Sequence, residues 1–226
     1  MNLNQGLRWL KNRKHLLIMP LYCIFYLAMF AYVENYDGRC YILHSQIDDL
    51  IPFCEYFIVP YVIWYFYMIV TVVRFGLLND GGKEHNKMAA VLCTGMTVFL
   101  IISMVFPNGQ NLRPSAEELT GSSVFIEAVR VLYSVDTSTN IFPSIHVFNS
   151  LACCGAWMRD ESIRSNKIYA SIVLLLTGSI IASTMFLKQH TVFDVIAAFV
   201  LYGACYAVFY GKIFEILPAR YKKGEI

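Results

Sequence analysis

Long apolar runs separated by short polar clusters set the pattern of this chain. A helix needs about twenty apolar residues to cross a bilayer, because lipid offers no partner for backbone N–H and C=O groups. Five runs fit: Leu16–Val33, Phe57–Leu78, Met88–Phe106, Ile168–Leu187 and Val192–Phe214. A sixth, Ser144–Met158, is shorter and carries Asn149 and Ser150, but it is apolar on most faces and lies between polar stretches, so it is counted as a span. The third connection, Pro107 to Pro143, is the longest. Within it Val124, Ala128, Val131 and Leu132 recur at helical spacing around Glu127 and Arg130, which predicts an interfacial helix over about Thr120 to Val135. The run from Asp136 to Asn140 reads as a turn and cap. No repeat or low-complexity segment divides the chain. The expected fold is an all-α membrane protein: one domain over residues 1–226, six transmembrane helices and a short interfacial helix in the third connection.

Composition agrees: 57% of the 226 residues are hydrophobic and 15% charged, too apolar for a soluble helical bundle. The first run is long and lacks a small-residue cleavage pattern after it, so a span is expected there rather than a signal peptide. Of the 18 Lys and Arg, 14 fall before the first run, in the second and fourth connections, or after the last run. Only Arg39, Arg113, Arg130 and Lys188 fall on the other side. The positive-inside rule then predicts cytoplasmic termini, with the first, third and fifth connections facing outward. A net charge of +2 gives no reason to expect nucleic acid, and the basic ends suit anionic lipid headgroups.

Of seven cysteines, Cys23, Cys93, Cys153, Cys154 and Cys205 lie in spans, where they serve as small apolar fillers. Cys40 and Cys54 share the first outward connection, where an oxidising compartment would allow a disulfide if the geometry permits. No Cys-x-x-Cys pair supports a zinc or redox motif.

Two histidine motifs flank the spans on the outward side. Phe142-Pro143-Ser144-Ile145-His146 leads into the short sixth run. Proline suits the first turn of a helix, so Ser144 and His146 are expected at a helix N-terminus, where free N–H groups and the dipole favour an anion. The second motif is Lys188-Gln189-His190 followed by Asp194. Residues four apart share a helix face, so the carboxylate can fix the imidazole tautomer and leave the other ring nitrogen free to attack phosphorus. Arg113 and Lys188 are cations that could neutralise phosphate oxygens in a transition state. Each residue has a plainer reading. Ser144 could only cap a helix, Asp194 could only suit a helix start, and Arg113 could only snorkel to headgroups. Ionisable residues near membrane depth are nevertheless functional candidates, and here two histidines, an aspartate and two cations converge. His15, His44 and His85 have no such company.

In these motifs the chain resembles the type 2 phosphatidic acid phosphatase superfamily of integral membrane lipid phosphatases. That family combines Lys-x6-Arg-Pro, Pro-Ser-x-His and Ser-Arg-x5-His-x3-Asp. Arg113-Pro114, Pro143-Ser144-Ile145-His146 and His190-x3-Asp194 match in order. The resemblance implies that His190 is the nucleophile, that Asp194 orients it, and that His146 is the acid for the leaving alcohol, with no metal or cofactor required. Two family cations are missing: Phe106 stands where the first motif has Lys, and Thr184 where the third has Arg, with Ser183 kept. Lys188 and Arg130 are the substitutes the sequence offers. The motif wording is closer to the branch of sphingolipid headgroup transferases, which pass a phospho-headgroup to a lipid alcohol.

The leading expectation is a lipid phosphate phosphatase acting on a phospholipid or other lipid phosphate at the outer leaflet. The alternatives are a lipid phosphotransferase sharing the first half-reaction, and a non-catalytic lipid-binding or transport protein. Intact His146, His190 and Asp194 argue against the last.

Overall fold

The computed structural model describes residues 13–35, 38–78 and 82–211. Nine α-helices account for nearly all regular structure there: α1 (Ile18–Glu34), α2 (Gln46–Leu50), α3 (Ile58–Gly76), α4 (Lys83–Val105), α5 (Val124–Val135), α6 (Ile145–Arg159), α7 (Glu161–Arg164), α8 (Lys167–Phe186) and α9 (Val192–Phe209). Five are long and apolar enough to cross a membrane: α1 with the 3-10 turn before it, α3 with its preceding turn, α4, α8 and α9. Their outward faces carry large apolar side chains, such as Ile24, Phe66, Leu175 and Val200. Such faces are stable only against lipid or a partner.

The predicted sixth run forms α6, and its 15 residues fall short of the five crossing helices. At 1.5 Å per residue it is about 22 Å long, against about 30 Å of hydrocarbon. Its position explains its composition. It packs against α3, α4, α8 and α9, so Asn149 and Ser150 are buried in protein rather than exposed to lipid. Ser150 donates its hydroxyl proton to the His146 carbonyl at 2.6 Å, a bond that satisfies it within its own helix. Close packing of α4 on α6 depends on Gly95, where any Cβ would run into the Phe148 ring.

Boundaries differ from expectation where polar residues join a helix. α4 begins at Lys83, five residues before the apolar run, because Gly82 takes a left-handed conformation (φ 78°) and starts the helix. The interfacial helix starts at Val124 rather than Thr120. Gly121 has φ 117°, which no helix accommodates, and the Ser123 hydroxyl caps α5 by accepting from the Ile126 N–H. Its buried stripe is Ile126, Val129 and Leu132, set against Ile58 and Tyr61 of α3. Val124 and Val131 are exposed on the other side of the helix. The expected end of the last span, residues 212–214, lies outside the described residues, as do Arg8, Lys11, Lys212, Arg220, Lys222 and Lys223.

The two ends of the bundle are chemically opposite. One gathers cations in ion pairs: Arg74 with Asp160 at 3.0 Å, Arg159 with Glu84 at 3.1 Å and Lys87 with Glu84 at 3.6 Å. The other end holds both histidine motifs and laces its connections together. β1 (Tyr41–Ile42) of the first connection pairs in parallel with β2 (Asn108–Gly109) of the third. Gly109 allows this approach, since a Cβ there would lie 2.8 Å from the Ser138 carbonyl and 2.9 Å from Cys40 Sγ. Buried Asn108 then fixes the chain entering the first motif, its Oδ1 accepting from the Ile141 and Phe142 N–H groups at 2.9 Å each. Cys40 and Cys54 are free thiols.

Candidate active site

The second motif begins where α8 ends. The Thr184 carbonyl accepts from the N–H groups of both Gln189 and His190, at 2.9 and 3.0 Å, and Lys188 takes a left-handed conformation (φ 51°). α9 then starts with a capping box. Thr191 Oγ1 accepts from the Asp194 N–H at 3.3 Å, and Asp194 Oδ2 accepts from the Thr191 N–H at 2.7 Å. The cap locks Asp194, fully buried, into one rotamer. Its Oδ2 lies 3.4 Å from His190 Nδ1, and Oδ1 has no hydrogen-bond partner. With Nδ1 facing the carboxylate, His190 presents Nε2 to the other side.

The turn between α8 and α9 is braced at almost every residue. The Tyr133 hydroxyl donates to the Leu187 carbonyl at 2.7 Å, and Gln110 Nε2 donates to the Lys188 carbonyl at 2.9 Å. Asp48, buried at the start of α2, accepts from the Val192 N–H at 2.8 Å. Burial pushes the Tyr133 hydroxyl up to about 12, so it stays a donor. These bonds fix the backbone on both sides of His190.

The first motif is tied to the second by the Ser144 N–H, which donates to the Asp194 carbonyl at 3.2 Å. The peptide before Pro143 is cis. Ser144 caps α6 by accepting from the Val147 N–H at 3.3 Å, and His146 follows in the first turn. The His146 ring sits between aromatic neighbours, with ring centres 4.7 Å from Tyr61 and 4.2 Å from Trp64, and 5.9 Å from His190. Neither of its ring nitrogens has a partner. The two imidazoles thus face each other across a gap.

That gap opens into a cavity of about 250 Å³ with Tyr26, Phe30, Trp64, Asp136, Gln189 and both histidines in its wall. The Asp136 carboxylate accepts from the Tyr61 hydroxyl at 2.8 Å. Arg113 stands one layer behind. Its guanidinium donates to the carbonyls of Asp136 (2.8 Å) and Thr137 (2.6 Å) and to Gln189 Oε1, and it lies 4.6 Å from the centre of the Tyr133 ring. Burial lowers the Arg113 pKa, and Asp136 acts in the opposite direction.

Of the residues singled out in the sequence, His146 and His190 line the cavity, with Asp194 directly behind His190. Arg113 reaches the wall only through Gln189 and the backbone. The Ser144 hydroxyl is turned into its own helix. The two expected substitute cations are occupied elsewhere. Lys188 Nζ donates to the carbonyls of Asp48 (2.7 Å) and Ile51, a strut to the first connection. Burial lowers its pKa, and the nearby carboxylates of Asp48 and Asp49 partly offset that. Arg130 pairs with Glu127 and donates to the carbonyls of Leu119 (2.5 Å) and Gly121 (3.3 Å), bracing the loop before α5. The left-handed turn at 188 sends the lysine outward, and the helical register of α5 does the same for Arg130. Sequence reasoning missed Gln189, Tyr61, Trp64 and Asp136. Only Gln189 carried a signal, as the neighbour of His190.

A carboxylate-backed imidazole facing a second imidazole, at one end of an apolar helical bundle, defines an integral membrane protein equipped for nucleophilic and acid–base chemistry. The chain belongs to the PAP2 superfamily, whose sequence model matches residues 87–216, from within the first turns of α4 through α9 and across all three motifs. Members are phosphatases and phosphotransferases, so the chemistry is that of lipid phosphates. No curated protein and no solved structure matches the chain.

Proposed function

We propose that this protein is a metal-independent lipid phosphate phosphatase working through a phosphohistidine, with six spans counting α6, cytoplasmic termini and its site at the outer leaflet. The observation that carries the reading is the His190–Asp194 pair at 3.4 Å with His146 opposite, 5.9 Å between ring centres. His190 Nε2 attacks phosphorus as the bond to the lipid oxygen breaks, and His146 gives its proton to the departing alkoxide. His146 then takes a proton from water, whose oxygen attacks phosphorus and breaks the P–N bond. A phosphate between the rings supplies the negative charge that favours the imidazolium form of His146. Asp194 balances the positive charge that His190 gains on phosphorylation. The cation-rich end, opposite the histidines, supports the proposed orientation.

Transfer to a lipid alcohol is a second reading with the same first half. Leu27, Phe30 and Phe99 line the cavity beside the histidines and give an acceptor's hydrocarbon chain an apolar wall. The test is a rapid quench of purified protein with radiolabelled lipid phosphate, with and without a lipid alcohol. A labelled phosphohistidine that decays to phosphate is expected, and label moving into the alcohol instead would favour the transferase. Robust turnover by His190→Ala, with label passing straight to product, would eliminate the mechanism.

A further inference from the structure

The site is short of positive charge for phosphoryl transfer. Thr184, at one missing cation position, is fully buried and returns its hydroxyl proton to the Ile181 carbonyl at 2.8 Å. Phe106, at the other, stacks on Tyr41 with ring centres 5.0 Å apart. Lys188 and Arg130 are tied to backbone carbonyls away from the cavity. Arg39 is exposed and does not line the cavity, and Arg113 reaches the wall only with Nη atoms already shared among two carbonyls and Gln189. The transferring oxygens still need donors, because most of the catalytic effect in such reactions is electrostatic.

Gln189 has the chemistry for that place. It is 2% exposed, it lines the cavity beside His190, and its backbone N–H is anchored on the Thr184 carbonyl at 2.9 Å. Arg113 has only donors, so the amide oxygen must face the guanidinium and the NH₂ group must point away from it. That Nε2 is buried and has no hydrogen-bond partner. A buried N–H without a partner is costly, and where a native structure keeps one, a ligand, an ion or a water commonly completes it. The guanidinium pulls on Oε1, which makes the N–H at the far end of the amide a stronger donor.

Resting on the phosphohistidine reading, we propose that Gln189 Nε2 holds a phosphoryl oxygen in the transition state, with Arg113 polarising the amide from behind. A neutral relay thereby stands in for a cation in direct contact. Gln189 is then a catalytic residue and Arg113 a positioning one.

The test compares the parent with Gln189→Ala and Gln189→Glu, full chains in lipid nanodiscs. It measures turnover, thermal melting and the affinity for orthovanadate, which mimics the phosphoryl transition state. Gln189→Ala should lower kcat by about 10²–10³-fold, the cost of one oxyanion donor. Vanadate affinity should weaken with it. Gln189→Glu separates donor from brace: a carboxylate keeps the contact to Arg113 but offers no N–H. A bracing role predicts near-parent activity for Glu, whereas the donor role predicts a loss at least as large as for Ala. Activity and vanadate affinity within threefold of the parent in either variant would overturn the proposal. If the parent forms no phosphohistidine, the functional reading falls, and vanadate affinity still decides whether Gln189 binds a phosphoryl group.

Discussion

Replacing Asp194 with asparagine separates the charge of this residue from its role in the helix cap. Oδ2 serves both, accepting from the Thr191 N–H at 2.7 Å and facing His190 Nδ1 at 3.4 Å. An asparagine carbonyl can take the same place, so the capping box and the imidazole contact survive without the charge. Phosphorylation of His190 creates positive charge on the ring, which the carboxylate stabilises and the amide does not. Two unit charges 3.4 Å apart interact by roughly 5 kcal/mol at an effective dielectric constant of about 20. Phosphohistidine formation should therefore slow by about 10³–10⁴-fold, since about 1.4 kcal/mol is a decade in rate. The buried NH₂ group takes the place of Oδ1, which has no partner, and its desolvation should cost about 1–3 kcal/mol of stability. The assay is a rapid quench with a lipid phosphate whose leaving group needs no proton, so that His146 does not mask the step, alongside melting in detergent. Asp194→Asn with a burst rate within tenfold of the parent and an unchanged melting temperature would refute the argument, leaving Asp194 only a helix cap.

Lys188→Ala should lose the strut to the Asp48 and Ile51 carbonyls, with stability falling by about 1–2 kcal/mol because the side chain is partly exposed, and kcat by less than about tenfold. Lys188→Gly should be more stable than Lys188→Ala by about 1 kcal/mol, since φ 51° suits glycine; a hundredfold loss of kcat with unchanged melting in either would mean the ammonium reaches the phosphate. Gly95→Ala should cost about 1–3 kcal/mol by forcing the Phe148 ring aside, and adding Phe148→Leu should restore part of it; equal melting of Gly95→Ala and the parent would show that α4 and α6 pack otherwise.

The apolar runs made the crossing helices legible because lipid imposes one solution on the backbone, and a twenty-residue run records it directly. α6 was harder. Its brevity and its Asn149 and Ser150 read as weakness for a span, yet they reflect enclosure by four helices. Spacing also pointed to the pairing of His190 with Asp194, but a shared helix face is not its cause: His190 lies before the Thr191 cap of α9, and the capping box holds the Asp194 carboxylate towards it. Lys188 and Arg130 fared differently. Proximity in sequence suggested phosphate contacts, but a left-handed residue at 188 and the Glu127 partner of Arg130 direct both charges elsewhere; the first has no sequence signature, whereas the Glu127–Arg130 spacing of three was legible.

The charge deficit is where sequence and structure say most together. The sequence records that two cations are missing; among the described residues no Lys or Arg lines the cavity, and Asp136 adds a carboxylate to its wall. A phosphate monoester dianion would meet one guanidinium, itself shielded by an amide, so binding must draw more on the apolar wall and on neutral donors than on ion pairing. Neutral donors are weaker in the ground state, but beside an apolar wall they strengthen as charge develops on the transferring oxygens. It follows that Gln189 and Arg113 should act as one unit. Once Gln189 is lost, removing Arg113 as well should cost little more, and a double-mutant cycle on kcat should give a coupling of about 1–3 kcal/mol. Strictly additive losses would mean that Arg113 reaches the phosphate directly and that no relay operates.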